Sequence, residues 1–140
     1  MISRIESDDE RCIWCRSCEL VCSLHHEGEC NPAFSRIRIS LNLFKSEAES
    51  HVCKQCEDPE CLKACPVEAI RMDEENGIYI ILESECTACG LCAEACPYNS
   101  KKKILFFNPA RKVYVKCDLC SGNPQCVQIC PSKALRYVVG

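Results

Sequence analysis

The sequence predicts a small α+β protein made of two interleaved lobes, with short helices and small antiparallel hairpins. Three observations support this prediction. Sixteen of the 17 cysteines fall into four groups of four, β-rich segments with turn residues separate the groups, and aromatic residues make up only 6 % of the chain. A chain of 140 residues with so few large apolar side chains needs metal or covalent links to support its core.

The four cysteine groups share nearly the same internal spacing. In the third group, Cys86, Cys89, Cys92 and Cys96 are separated by two, two and three residues, and Pro97 follows. The other groups are Cys12, Cys15, Cys18 and Cys22; Cys53, Cys56, Cys61 and Cys65; and Cys117, Cys120, Cys126 and Cys130. The second and fourth groups also end in proline, and they differ from the third only in a longer interval before the third cysteine.

This spacing indicates iron–sulfur clusters of the bacterial-ferredoxin type. Three cysteines on a tight loop can bind three corners of an iron–sulfur cube, whereas the fourth faces away and reaches a second cube. The following proline ends the short helix, and Gly90 gives the third loop its backbone freedom. Zinc sites of four cysteines use two separated Cys-x2-Cys pairs and do not need this ending. Disulfides would require an export signal, which residues 1–10 lack.

The clusters are expected to work in pairs. Groups two and three form an inner bacterial-ferredoxin-like lobe at residues 53–97, and by elimination groups one and four form an outer lobe from residues 1–52 and 98–140. Each cluster then takes its fourth cysteine from the partner group. The predicted ligand sets are Cys12, Cys15, Cys18 and Cys130; Cys117, Cys120, Cys126 and Cys22; Cys53, Cys56, Cys61 and Cys96; and Cys86, Cys89, Cys92 and Cys65. Cys30 is expected to bind no iron.

Strand-forming segments lie between and after the cysteine groups. Asn76-Gly77 is a hairpin turn signal at the centre of a β-rich stretch. The predicted strands are 35–44, which alternates apolar and polar residues, the two halves of 69–82, the hairpin segments 104–107 and 113–115, and the closing strand 134–139. Helices are expected to be short and mostly confined to the three-residue intervals before the last cysteine of each group.

Composition excludes several function classes. A formal net charge of −3 argues against nucleic acid as the main partner. Four clusters with a charge of about −2 each would make the loaded protein more acidic still. Residues 1–10 contain no apolar signal core, and no apolar run is long enough to span a bilayer. We therefore expect a cytoplasmic protein, and we find no catalytic residues outside the cysteine groups.

The order of the spacings resembles the four-cluster iron–sulfur subunits of the dimethyl-sulfoxide-reductase type. The resemblance covers nearly the whole chain. It includes residues 22–28, 31–37, 53–61 and 116–120. The short linkers and residues 117–126 are most similar to the small subunits of tungsten aldehyde oxidoreductases. Ser23 departs from the ferredoxin pattern because proline is usual at this position.

This resemblance implies an electron-transfer subunit without catalytic activity of its own. It would pass electrons through four [4Fe–4S] clusters between a larger catalytic subunit, a tungsten or molybdenum pterin enzyme, and an external carrier such as a ferredoxin or flavin subunit. The alternatives are a free polyferredoxin, a subunit of a hydrogenase, formate dehydrogenase or carbon monoxide dehydrogenase, and a zinc-stabilised structural module. His25 and His26 are expected to form hydrogen bonds near a cluster or to the backbone.

Overall fold

The computed structural model describes residues 3–99 and 103–139. Within these residues the chain forms eight short strands and four helices. The strands are β1 (Arg4–Ser7), β2 (Arg38–Asn42), β3 (Glu47–His51), β4 (Ile70–Asp73), β5 (Ile78–Ile81), β6 (Phe106–Asn108), β7 (Val113–Val115) and β8 (Leu135–Val138). The helices are α1 (Ser17–Glu27), α2 (Glu60–Ala64), α3 (Leu91–Ala95) and α4 (Gln125–Ile129), and 3-10 turns lie at Pro32–Phe34 and Leu119–Gly122.

The strands form four separate antiparallel ribbons of two strands each. Three of them are hairpins between consecutive strands, namely β2–β3, β4–β5 and β6–β7. The fourth ribbon joins β1 to β8, with Arg4 opposite Val138. The N–H of Asp8 donates to the carbonyl oxygen of Ala134 at 2.8 Å and continues this pairing. The ribbon therefore holds the first and last cysteine groups in the same part of the molecule.

Both predicted hairpins are confirmed. β4 and β5 pair along their whole length, and the Gly77 N–H donates to the Asp73 carbonyl oxygen at 2.8 Å to close the turn at residues 74–77. Gly77 has a φ of 67°, a left-handed conformation that glycine adopts without steric cost. In the β6–β7 hairpin, the Lys112 N–H donates to the Asn108 carbonyl oxygen at 2.7 Å.

The alternating segment 35–44 forms a strand only in its central part. Ile37 and Ile39 are buried, as the alternation predicts, whereas Leu43 and Phe44 lie in the turn that follows β2 and are 70 % and 103 % exposed. The strand that pairs with β2 was not predicted, because the polar sequence of β3 has no apolar alternation. This hairpin therefore projects two apolar side chains into solvent at its tip.

Three of the helices are as short as expected. Each of α2, α3 and α4 has five residues and stops just before the last cysteine of its group. Pro66, Pro97 and Pro131 follow those cysteines, and a residue that precedes proline is sterically disfavoured in the helical conformation. None of the helices in the described part of the chain is long and apolar enough to cross a membrane.

Helix α1 is longer than expected. It has 11 residues and continues past Cys22, the last cysteine of group one, to Glu27. Ser23 occupies the position where the other groups have proline, so the helix is not interrupted there. The Ser23 hydroxyl donates to the Leu20 carbonyl oxygen at 3.0 Å and accepts from the Asn31 N–H at 3.0 Å. Gly28, which has a φ of 76°, ends the helix, and its N–H donates a hydrogen bond to the Leu24 carbonyl oxygen.

The apolar core is built around the cysteines. In the larger cluster, Ile37, Ile78 and Leu119 are buried together with Cys22 and Cys117. A smaller cluster combines Ile70 and Leu105 with Cys61 and Cys92. Helix α1 packs against α4, and α2 packs against α3. The packing thus brings group one to group four and group two to group three.

We expect Ser23→Pro to shorten α1 and destabilise the protein. The proline would remove a helical hydrogen bond and clash with the preceding turn, at a cost of about 3 kcal/mol. Far-ultraviolet circular dichroism should show less helix, and the thermal midpoint of the loaded protein should fall. The matched control is Ser23→Ala, which loses only the hydroxyl contacts and should cost about 1 kcal/mol. Equal midpoints for the two variants would contradict this account of α1.

Candidate metal centres

The structure brings sixteen cysteines together in four sets, called sites 1 to 4. Site 1 contains Cys12, Cys15, Cys18 and Cys130; site 2 contains Cys22, Cys117, Cys120 and Cys126; site 3 contains Cys53, Cys56, Cys61 and Cys96; and site 4 contains Cys65, Cys86, Cys89 and Cys92. The cysteines of sites 1, 3 and 4 each line a single cavity. Each set contains the same four cysteines as one of the ligand sets expected from the spacing.

Site 2 lies inside the larger core cluster. Cys22, Cys117 and Cys126 are all less than 10 % exposed and pack in the same cluster. Burial raises the thiol pKa values of Cys117, Cys120 and Cys126, and the nearby Cys22 raises all three further. One cysteine of group one is therefore in close contact with three cysteines of group four.

Helices α2 and α3 exchange cysteines between sites 3 and 4. Cys61 lies on α2 and belongs to site 3, whereas Cys65, which caps the end of the same helix, belongs to site 4. In the same way, α3 carries Cys92 of site 4 and ends at Cys96 of site 3. The two helices pack together, so each one serves both sites.

Helices α1 and α4 repeat this exchange for sites 1 and 2. Cys18 of site 1 and Cys22 of site 2 are one turn apart on α1. Cys126 of site 2 lies on α4, and Cys130 of site 1 caps its end. The difference is that Cys22 lies inside a continuing helix, since no proline follows it. The arrangement of the sulfur atoms therefore does not depend on where the helix stops.

A backbone feature that sequence patterns did not predict recurs in all four groups. The residue two positions after the first cysteine of each group has a φ value between 51° and 64°; these residues are Trp14, Gln55, Ala88 and Leu119. The N–H groups of the last three donate to the sulfur of that cysteine at 3.4–3.5 Å. Left-handed backbone is unfavourable for residues with a β-carbon. No side-chain type marks the position, so the residue letters carry no signal for it.

His26 lies beside site 2. Its Nε2 atom is 3.8 Å from the Cys120 sulfur and 3.4 Å from a carboxylate oxygen of Asp118. Burial and the charge of Arg36 lower the His26 pKa to about 4, so the ring is neutral near pH 7. His26, Asp118 and Cys120 bring three possible metal ligands within 4.8 Å of one another, but Cys120 already belongs to a set of four cysteines. His25 is exposed.

The sites differ in their access to solvent. Cys15 of site 1 and Cys89 of site 4 are exposed, whereas no cysteine of site 2 or site 3 is exposed. Cys30 is also exposed, and it lines none of the cavities of sites 1, 3 and 4. The two sites with an exposed cysteine are therefore accessible to a partner at the surface.

The donor sets suit a soft metal or an iron–sulfur cluster. Burial raises the thiol pKa of Cys18 to about 12, of Cys61 to about 11 and of Cys92 to about 12. These thiols are protonated near pH 7 unless a metal replaces the proton, because only thiolates ligate metals strongly. Four sulfur ligands favour zinc or iron–sulfur clusters over hard cations. Loading each site must therefore release protons.

Comparisons with known proteins identify the cofactor class. Residues 44–139 match the family model of the 4Fe-4S dicluster domain. The polyferredoxin-like subunit of an aliphatic sulfonate oxidoreductase from Pyrococcus furiosus is 42 % identical over 134 residues, which cover 94 % of this chain and 75 % of that one. The thiosulfate reductase electron transfer subunit of Salmonella typhi is 31 % identical over an alignment that covers 93 % of this chain and 72 % of that subunit.

A solved structure shows the same fold in a complex. The active site complex BamBC of benzoyl coenzyme A reductase as isolated contains a chain that matches 98 % of this one and 76 % of its own length. The TM-score is 0.57 and the sequence identity is 27 %. The similarity extends over nearly the whole fold.

We expect Gly90→Ala to destabilise the loop of site 4 more than Gly28→Ala destabilises the end of α1. Both glycines have positive φ, so both substitutions carry about 1–2 kcal/mol of backbone strain. A β-carbon at Gly90 would also lie 2.8 Å from the Tyr114 hydroxyl oxygen, whereas nothing lies within 4 Å at Gly28. Thermal melts compare the two variants.

The Tyr114→Phe background tests the cause of that difference. Removing the hydroxyl should recover part of the additional loss in the Gly90→Ala variant and leave the Gly28→Ala variant unchanged. Equal losses for the two alanine variants, or no recovery with phenylalanine, would show that Tyr114 does not constrain this loop.

Proposed function

This chain belongs to the 4Fe-4S dicluster domain family of iron–sulfur electron-transfer subunits, and we propose that it holds four [4Fe–4S] clusters. The observation that carries the proposal is the convergence of sixteen cysteines into four sets of four. The family model covers groups two, three and four, whereas group one, which supplies three cysteines of site 1 and one of site 2, precedes the matched residues. The proposed ligands are the cysteines of sites 1 to 4, with Cys30 left unligated.

The proposed lobes follow from the same pairings. The outer lobe consists of residues 1–52 and 98–140 and contains sites 1 and 2, and the inner lobe consists of residues 53–97 and contains sites 3 and 4. Packing of α1 on α4 and of α2 on α3 supports this division. Residues 104 and 105 line the cavity of site 3, so the segment after residue 98 also contacts the inner sites.

The clusters would form a linear chain from site 1 to site 4. Burial is the largest cause of the raised pKa of Cys126 in site 2, and Cys18 of site 1 is close enough to raise that pKa further. Cys53 of site 3 acts in the same way on Cys117 of site 2. Burial raises the Cys92 pKa in site 4, and Cys61 of site 3 is the next largest cause. Each site therefore neighbours the next.

The ends of this chain of sites suit two different redox partners. Site 1 and site 4 each have an exposed cysteine, and sites 2 and 3 have none. An electron could thus enter at one end, move one site at a time and leave at the other. Burial, nearby charge and N–H donors to sulfur would tune the potential of each site. The chain's own residues supply ligands and electrostatics and carry out no substrate chemistry.

We propose a larger catalytic oxidoreductase subunit as the permanent partner. The relatives are subunits of oxidoreductases, and the solved structure is an active site complex. The resemblance to small subunits of tungsten aldehyde oxidoreductases favours a tungsten or molybdenum pterin enzyme. A ferredoxin or a flavin subunit would be the second redox partner.

Metal analysis tests the number of clusters. The anaerobically purified full-length protein should contain about 16 iron atoms and as much acid-labile sulfide per chain. The matched control is Cys30→Ser, which should retain the same content because this cysteine belongs to none of the four sets. An iron content near eight atoms would limit the protein to two clusters, and zinc in place of iron and sulfide would exclude the electron-transfer role.

Native purification tests the partner. Isolated without tags or detergent from its source cells, the protein should elute in a complex with a larger subunit that contains a tungsten or molybdenum pterin. A permanent partner needs an interface of at least about 1,000 Å² to hold the cofactors at a fixed distance. A lone monomer with full cluster content would instead support a free polyferredoxin.

A further inference from the structure

Lys116 is a buried cation between sites 2 and 3. The residue is only 4 % exposed. Its Nζ atom lies 3.7 Å from the Cys53 sulfur, 3.3 Å from the Gln55 side-chain oxygen and 3.5 Å from the Cys117 carbonyl oxygen. Gln55 also donates to that carbonyl oxygen at 3.0 Å. The lysine therefore contacts one ligand of site 3 and the backbone of one ligand of site 2.

Lys116 has no carboxylate partner among residues 3–99 and 103–139, since none lies within 4.0 Å of its Nζ atom. Asp118 is the nearest acidic residue in sequence, and its carboxylate faces Arg36 at 3.7 Å and His26 at 3.4 Å. A buried ammonium group without a counter-charge is costly. The nearby groups that become anionic are the cysteine sulfurs.

The charge of Lys116 acts on both neighbouring sites. Lys116 lines the cavity of site 3 together with its four cysteines. Its Nζ atom also lies 3.5 Å from the backbone carbonyl oxygen of Cys117, a cysteine of site 2. A positive charge beside the sulfur ligands favours the more negative state of a metal centre. Its effect is strong because the site is buried and poorly screened.

We propose that Lys116 is the counter-ion of site 3, shared with site 2, and that it raises the reduction potential of the site 3 cluster. One-electron reduction takes a cluster with four thiolates from a charge of about −2 to about −3, and the electron comes from the adjacent site. Burial makes this added negative charge unfavourable, and the positive charge of the ammonium group offsets part of that cost. Lys116 acts as a positioning and tuning residue, and it ligates no metal.

The inference rests on the proposed cluster sites, and a redox titration of the full chain tests it. Electron paramagnetic resonance would follow the midpoint potentials in wild type, Lys116→Gln, Lys116→Met and Lys116→Arg. Both neutral variants should shift the potential of at least one cluster to lower values, and the arginine variant should restore it. The matched control is Lys63→Gln, because Lys63 lies on α2 but is exposed and paired with Asp58 and Glu60.

The direction of the shift separates tuning from loosened packing. Admitting water to the site would favour the more highly charged reduced state and raise the potential, whereas loss of the cation lowers it. Unchanged or raised potentials in fully loaded neutral variants would overturn the proposal.

Loss of iron from the variants is also decisive. If the neutral variants lose iron, full loading of Lys116→Arg supports the counter-ion role, and equal loss in the arginine variant overturns it. Failure of the proposed function would be seen in the wild type itself, as an iron content below four clusters. Failure of the inference about Lys116 would be seen only in the variants.

Discussion

The fold depends on one geometric constraint: the last cysteine of each group lies one helical turn beyond the third and belongs to a different set. As a result, α2 and α3 each serve sites 3 and 4, and α1 and α4 each serve sites 1 and 2. Distant segments must come together before any set is complete. The antiparallel pairing of β1 with β8 and the helix contacts satisfy this requirement with very little regular secondary structure.

Cysteine spacing predicts the four sets because the spacing itself encodes which way each sulfur faces. The hairpins β4–β5 and β6–β7 were predictable from turn residues and β-rich flanks. Strands β1 and β3 were not, because their polar sequences become strands only through pairing with β8 and β2. The length of α1 depends on Ser23, because the helix can continue where the other groups have a proline.

The left-handed residues near the sulfur atoms mark the limit of sequence-based prediction. Trp14, Gln55, Ala88 and Leu119 share a backbone conformation but have nothing in common as side chains. At Gln55, Ala88 and Leu119 this conformation directs the N–H group towards the sulfur of the first cysteine of the group, so it depends on the local tertiary structure and not on the residue type. The same holds for Lys116, whose burial between two sites follows from packing and could not be inferred from its place in the chain.

The β1–β8 ribbon has a consequence for how such a unit can be used in evolution. Arg4 lies opposite Val138, so the chain enters and leaves this region at neighbouring points. A segment with adjacent ends can be inserted into a loop of another protein, or fused in tandem, with little disturbance of its interior. The interior of the unit, in contrast, does not tolerate division. A cut between groups one and four would separate the cysteines that together form sites 1 and 2. The unit is therefore transferable as a whole but indivisible.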